Sequence, residues 1–228
     1  MTAQARPPRA PLIELRGVGV RYPGCTALDA VDLTVGHGEL VTLAGPAGSG
    51  KSTLLGVVGL LLAPTAGSYL LNGLDTARLG DRERTSLRGR QIGCVFQRPH
   101  LLPSRSVLDN VMLPVLYSGL PRQQRRSAAL DALERVGLTA RPQTAAGELA
   151  AGEQQRVAIA RAIVTEPSLL LCDDPTASLD EAGAAQIVGL LVSLRRDGRT
   201  VLVATRNQLA AAYSSRNLSV GARPGAVR

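Results

Sequence analysis

The 228-residue sequence has no tryptophan, one phenylalanine and four tyrosines, so its core must be built from Leu, Val, Ala and Ile. Scarce aromatics also remove the stacking platforms on which proteins hold unpaired bases. The three cysteines, Cys25, Cys94 and Cys172, are far apart, odd in number and without a C-x-x-C spacing. That pattern excludes a disulfide framework and a thiolate zinc site, and it suits a reducing compartment. Long apolar runs are missing too: the longest, at 54–63, has ten residues, about half of what a membrane-spanning helix needs. The N-terminal stretch lacks the apolar segment of a secretory signal. Residues 1–11 read as a disordered lead-in and 221–228 as a tail. Lysine is almost absent, since of 26 Lys and Arg residues only Lys51 is a lysine.

What is present is a formal net charge of +8. A positive field attracts polyanions, but no dense basic tract accompanies it, so a bias toward arginine explains the charge and no nucleic-acid partner is expected. The length suits one folded unit. Segments 12–22 and 28–36 alternate like half-buried strands, and 39–45 is continuously apolar, as a strand buried on both faces would be. A helical pattern follows from Lys51 to 61, and 68–73 returns as a strand. From about 77 to 165 helices and loops dominate around a short strand at 92–97, with helices expected at 106–119, 123–137 and 153–164. Strand, helix and strand then alternate at 168–173, 179–198 and 200–205. Strands separated by helices imply an α/β fold with a mostly parallel sheet, flanking helices and N-terminal antiparallel strands. The helical middle, about 98–164, is expected to form an inserted arm.

The stretch Gly45, Pro46, Ala47, Gly48, Ser49, Gly50, Lys51, Ser52 and Thr53 fits G-x-x-x-x-G-K-[ST] in full, between a buried strand and a helix start. The chemistry of that pattern is phosphate binding. Its glycines let successive N–H groups turn inward, the lysine reaches the β and γ phosphates, and Ser52 places a hydroxyl on Mg²⁺. A compact ammonium fits such a cradle where a planar guanidinium does not, which accounts for one lysine among so many arginines. The apolar strand at 168–173 ends in carboxylates, and Asp173 supplies the second anchor for the metal or its water.

With those elements in place, the order of five motifs resembles the ATP-binding subunit of ABC transporters over about residues 12–212. The motifs are GPAGSGKST (45–53), VFQRPHLLP (95–103), LAAGEQQRVAIARA (149–162), LLLCDDPTASLD (169–180) and VLVATR (201–206). Within that family the chain is most similar to the lipoprotein-release and macrolide-export group. The resemblance implies a P-loop NTPase core over 12–220 and a head-to-tail dimer that sandwiches ATP and Mg²⁺ between the P-loop of one subunit and residues 150–153 of a second ATP-binding subunit. It also implies a transmembrane permease partner that docks near Gln97, on the cytoplasmic face of the membrane. By the same resemblance Tyr22 stacks on adenine, Gln97 contacts Mg²⁺ and the attacking water, and residues 178–180 cross the dimer interface.

Three departures from the family pattern fall together. Ala150, Ala151, Gly152 and Glu153 stand where the family has Ser-Gly-Gly-Gln or -Glu, so a serine hydroxyl for the opposing γ-phosphate is missing. Asp174 stands where glutamate polarises the attacking water, and Arg206 replaces a histidine and cannot relay a proton at neutral pH. The catalytic positions are thus Asp174, Gln97 and Arg206, with Ser52, Gln97 and Asp173 at the metal. The expectation is a subunit that binds Mg-ATP, dimerises to drive a permease and hydrolyses slowly. A regulatory module that acts on a membrane or cell-envelope partner through ATP-dependent dimerisation is the other reading of the same residues.

Overall fold

The computed structural model describes residues 10–220. Nearly all of the expected lead-in and the whole of the expected tail at 221–228 lie outside those residues. A parallel sheet forms the centre, in the order β6 (Ile92–Val95), β7 (Leu169–Asp173), β8 (Thr200–Ala204), β3 (Leu40–Ala44) and β9 (Arg216–Ser219). A second, antiparallel sheet has the order β2 (Cys25–Val35), β1 (Ile13–Tyr22), β4 (Ala66–Leu71) and β5 (Leu74–Asp75).

The continuous apolar runs are explained by burial on both faces of the parallel sheet. Side chains alternate along a strand, so Leu169 and Leu171 enter one core with Leu43, Leu202 and the antiparallel sheet. Leu170, Cys172, Val201 and Val203 enter the other, against α3 (Val107–Met112), α4 (Arg122–Arg135), α5 (Ala151–Ile163) and α6 (Glu181–Arg196). Burial pushes the Cys172 thiol well above the usual range, so it behaves as a small apolar side chain there. Helix α1 (Lys51–Val58) lies in the first core, and its last turn is fixed by the Tyr69 hydroxyl, which donates to the Val58 carbonyl at 2.9 Å.

Local chemistry sets several boundaries differently from the apolar pattern. Helix α1 stops at Val58 rather than 61 because Gly59 caps it and Leu60 turns left-handed at φ 56°. The helix expected over 106–119 breaks into α3 and a 3₁₀ turn at Pro114–Leu116, since Pro114 has no N–H to donate. Strand β6 ends at Val95, opposite Cys172, so Phe96 and Gln97 lie beyond the sheet. Strand β2 begins at Cys25, because pairing with β1 runs up to the turn at Pro23 and Gly24. Between β5 and β6 the chain forms α2 (Asp81–Gln91), and after β8 come α7 (Gln208–Tyr213) and β9. Arg135 on α4 donates to Glu166 Oε1 at 2.6 Å while the buried Arg199 pairs with the other oxygen, which ties α4 to the start of β8.

Candidate functional site

The loop 45–50 leaves the carboxyl end of the interior strand β3 and opens directly into α1. Its backbone demands glycine at two places for steric as well as conformational reasons. At Gly50, with φ 95°, a Cβ would stand 2.6 Å from the Ala27 carbonyl and 2.8 Å from Leu28 Cδ2; at Gly45, with φ 155°, it would strike the Val220 carbonyl. The loop is therefore pressed between β2 and the residue after β9. Lys51 folds back over it: Nζ donates to the carbonyls of Gly45 at 2.8 Å and Pro46 at 2.7 Å, and lies 3.3 Å from Ser49 Oγ. The three N–H donors of one ammonium thus meet three acceptors from a five-residue stretch. Ser49 is buried, Pro46, Ala47 and Gly48 are exposed, and Thr53 is half-buried on α1.

Ser52, the second residue of α1, shares a cavity of about 60 Å³ with Asp173, at the end of β7, with Cys94 of β6 and with Phe96 just after that strand. The structure therefore brings the expected hydroxyl and carboxylate together. These are hard oxygen donors of the kind Mg²⁺ takes, and an ion of that type needs only one or two protein ligands beside phosphate and water. Among the described residues no group of three or more His, Cys, Asp or Glu side chains converges into an all-protein metal site.

Asp174 and Arg206 also meet. Asp173 on β7 pairs with Ala204 on β8, so the residues that follow each strand emerge side by side. The Asp174 backbone is left-handed at φ 42°, and its N–H donates to the Ala204 carbonyl at 2.7 Å. Its Oδ1 accepts from the Thr205 hydroxyl at 3.2 Å, and its Oδ2 lies 3.8 Å from Arg206 Nε. The carboxylate is mostly buried and the guanidinium mostly exposed. Asp174 and Arg206 thus face one another as an ion pair.

The remaining expected residues lie farther out. Tyr22 ends β1 with 47% of its surface exposed. Across the hairpin it pairs with Cys25, two residues before Ala27, whose carbonyl packs on Gly50. Gln97 is exposed, and the segment around it is tied to α5 by two residues that sequence reasoning missed. Gln155 donates to the Phe96 carbonyl at 3.3 Å, and Arg161 donates to the carbonyls of His100 at 2.9 Å and Pro99 at 2.6 Å. Burial lowers the Arg161 pKa from its usual value. Neither was legible beforehand because the carbonyls they bond to, on Phe96, Pro99 and His100, lie about sixty residues away in the sequence.

Ala150 is the N-cap of α5 and Ala151, Gly152 and Glu153 are its first turn. Alanine offers no side-chain acceptor; Glu153 instead turns back to accept from the Ala150 N–H at 3.0 Å, and it pairs with Arg141 at 3.5 Å. No residue lining the cavity at Ser52 comes from α5. Ser178 and Asp180 are exposed before α6, where Asp180 caps the helix by accepting from the Gly183 N–H at 2.8 Å.

Comparison with known proteins gives the family to which this fold belongs. The family model described as ABC transporter matches residues 28–177. The chain is 44% identical over 215 residues to the macrolide export ATP-binding/permease protein MacB 1/2 of Paracoccus denitrificans, which covers 92% of this chain and 32% of that protein. It is 44% identical over 202 residues to the lipoprotein-releasing system ATP-binding protein LolD of Hyphomonas neptunium, covering 86% of this chain and 89% of that one. The chain thus spans about a third of the first relative and most of the second. Among solved structures, the dimeric bacterial ABC transporter cassette MJ0796 superposes with a TM-score of 0.84 at 37% identity, covering 92% of this chain and 94% of that one. A post-hydrolysis dimer of the same cassette, bound to ADP and Pi, gives 0.84 at 35% identity over 95% and 96%. By fold, by the loop at 45–53 and by likeness along most of its length, the chain belongs to the ABC transporter family and is an ATP-binding domain of it.

Proposed function

We propose that this chain binds Mg-ATP, dimerises on it with a second ATP-binding subunit and so drives a transmembrane permease, with slow hydrolysis. The observation that carries the reading is the Lys51 ammonium held over a loop whose two glycines admit no side chain, beside a cavity shared by Ser52 and Asp173. The inward-turned loop and Lys51 grip the β and γ phosphates, Tyr22 lies against adenine, and Ser52, Asp173 and Gln97 hold the metal, which when bound neutralises charge building on the γ-phosphate. Two facing chains place residues 150–153 of one on the nucleotide of the other. The likeness to dimeric cassettes, one with ADP and Pi, supports that arrangement.

Slow turnover follows from three altered groups acting on one phosphate. Asp174 reaches less far than glutamate, Arg206 supplies charge but no proton, and Ala150 and Ala151 bring no hydroxyl. Docking to a permease is supported by a groove of about 970 Å³ beside the segment that bears Gln97, where Leu61, Phe96 and Tyr117 are exposed near Arg82 and Arg90. Among the described residues no helix is long and apolar enough to cross a membrane. A peripheral place on the cytoplasmic face is supported instead by the likeness to ATP-binding proteins named for export and lipoprotein release.

Calorimetric titration with ATP and Mg²⁺, run beside light scattering for oligomeric state and a phosphate-release assay, tests the reading. Micromolar to millimolar affinity, ATP-dependent dimers and turnover well below one per second support it. Absence of binding refutes it, and rapid turnover refutes only the claim of slow hydrolysis. Dimerisation without any effect on a co-expressed permease favours the regulatory module.

A further inference from the structure

Thr205 stands immediately after β8 and is 3% exposed. Its N–H donates to the Leu43 carbonyl at 3.1 Å, which fixes it against β3, the strand that feeds the P-loop. Its hydroxyl oxygen accepts from the Asn207 N–H at 3.0 Å, while the Asn207 side-chain amide reaches on to Thr176 Oγ1 at 3.4 Å. A hydroxyl has one proton. With a backbone N–H already donating into its lone pair, that proton is directed at Asp174 Oδ1, 3.2 Å away.

We infer that Thr205 is a positioning residue for Asp174: its hydroxyl anchors Oδ1 and thereby leaves Oδ2, opposite Arg206, as the one oxygen that polarises the attacking water. This rests on the reading of Asp174 given above. The carboxylate then has little rotational freedom. Its backbone is held by the Ala204 carbonyl, one oxygen by Thr205, and the other faces a guanidinium at 3.8 Å. A short side chain placed back from the phosphate cannot compensate by swinging, so the anchor matters more here than it would for a longer one.

Single-turnover hydrolysis of labelled ATP, followed for hours with protein in excess, reads the effect on the full chain. Thr205→Val removes the hydroxyl at nearly constant volume and is expected to lower the rate about tenfold or more, with ATP affinity unchanged by calorimetry. Thr205→Ser keeps the donor and is expected to stay within about twofold of wild type, which a purely structural role for the methyl group would not produce. In an Asp174→Asn background Thr205→Val is expected to add nothing, because both act through one carboxylate. The inference is overturned by a Thr205→Val rate within twofold of wild type, by an equal drop in the Asp174→Asn background, or by loss in Thr205→Ser. An Asp174→Asn protein as fast as wild type overturns it together with the role given to Asp174. A wild type without turnover does the same, while calorimetry on that sample decides ATP binding separately.

Discussion

Lys51→Arg is the substitution that asks most directly why one lysine survives in this sequence. Nζ has acceptors at 2.7, 2.8 and 3.3 Å, all from residues 45–49. That cup matches three donors radiating from one atom, whereas a guanidinium spreads its donors along a plane and cannot direct them at the same three points. Each charge-assisted hydrogen bond contributes about 1.5–3 kcal/mol. If, once these acceptors are exchanged for phosphate oxygens, the guanidinium fails to make two such bonds to the nucleotide and its retained charge recovers about half, the net loss is about 1.5–3 kcal/mol, or roughly 10- to 150-fold in Kd for Mg-ATP. Titration calorimetry measures this, and thermal unfolding without nucleotide serves as control, because the loop lies at the surface and its exchange of acceptors leaves the core intact. Lys51→Ala, which also removes the charge, is expected to lose at least as much. Binding by Lys51→Arg within threefold of wild type refutes the argument from the size and geometry of the cup.

Asp174→Glu advances the carboxylate by about one C–C bond, ~1.5 Å, and is expected to raise kcat at least tenfold in a phosphate-release assay; an unchanged kcat refutes side-chain length as the cause of the slow hydrolysis proposed above. Gly50→Ala drives a Cβ to 2.6 Å from the Ala27 carbonyl and is expected to destabilise by several kcal/mol in urea titration. Gly48→Ala, which meets open space at φ 77°, is expected to cost only about 1–2 kcal/mol, and equal losses would show that conformation alone governs the loop. Burial raises the Cys94 thiol to about 11, against a smaller opposing effect of Arg88. The folded state thus retains the proton, and this contribution to stability is whole below the ordinary thiol pKa and declines as pH rises through about 11. Alkylation of Cys94, followed by mass spectrometry, is expected to accelerate about tenfold per pH unit up to that point, and a rate flat above pH 9 would contradict it.

Much of this molecule was legible in the sequence because its chemistry is contiguous. The P-loop is nine successive residues whose backbone makes its own pocket, and the buried strands β3, β7 and β8 advertise themselves by unbroken apolar runs. Strand β9 was not legible: of its four residues only Leu218 is buried, since an edge strand paired on one side to β3 has little apolar surface to hide. Helix α7, six residues long, lacked enough turns to show a period. Nor could the sequence place Gln97 off the sheet, because that depends on where pairing with β7 stops: β6 ends at Val95 opposite Cys172, although β7 itself continues to Asp173.

The sequence by itself determined the loop at 45–53 and the α/β order of elements, each of which is written in neighbouring residues. Only the tertiary structure decided that Asp174 and Arg206 face each other, that Thr205 anchors the carboxylate between them, and that Ser52 and Asp173 share one cavity. The reason is register. Residues 174 and 205 meet because β7 and β8 are parallel neighbours aligned with Asp173 opposite Ala204, and the whole buried sheet fixes that alignment.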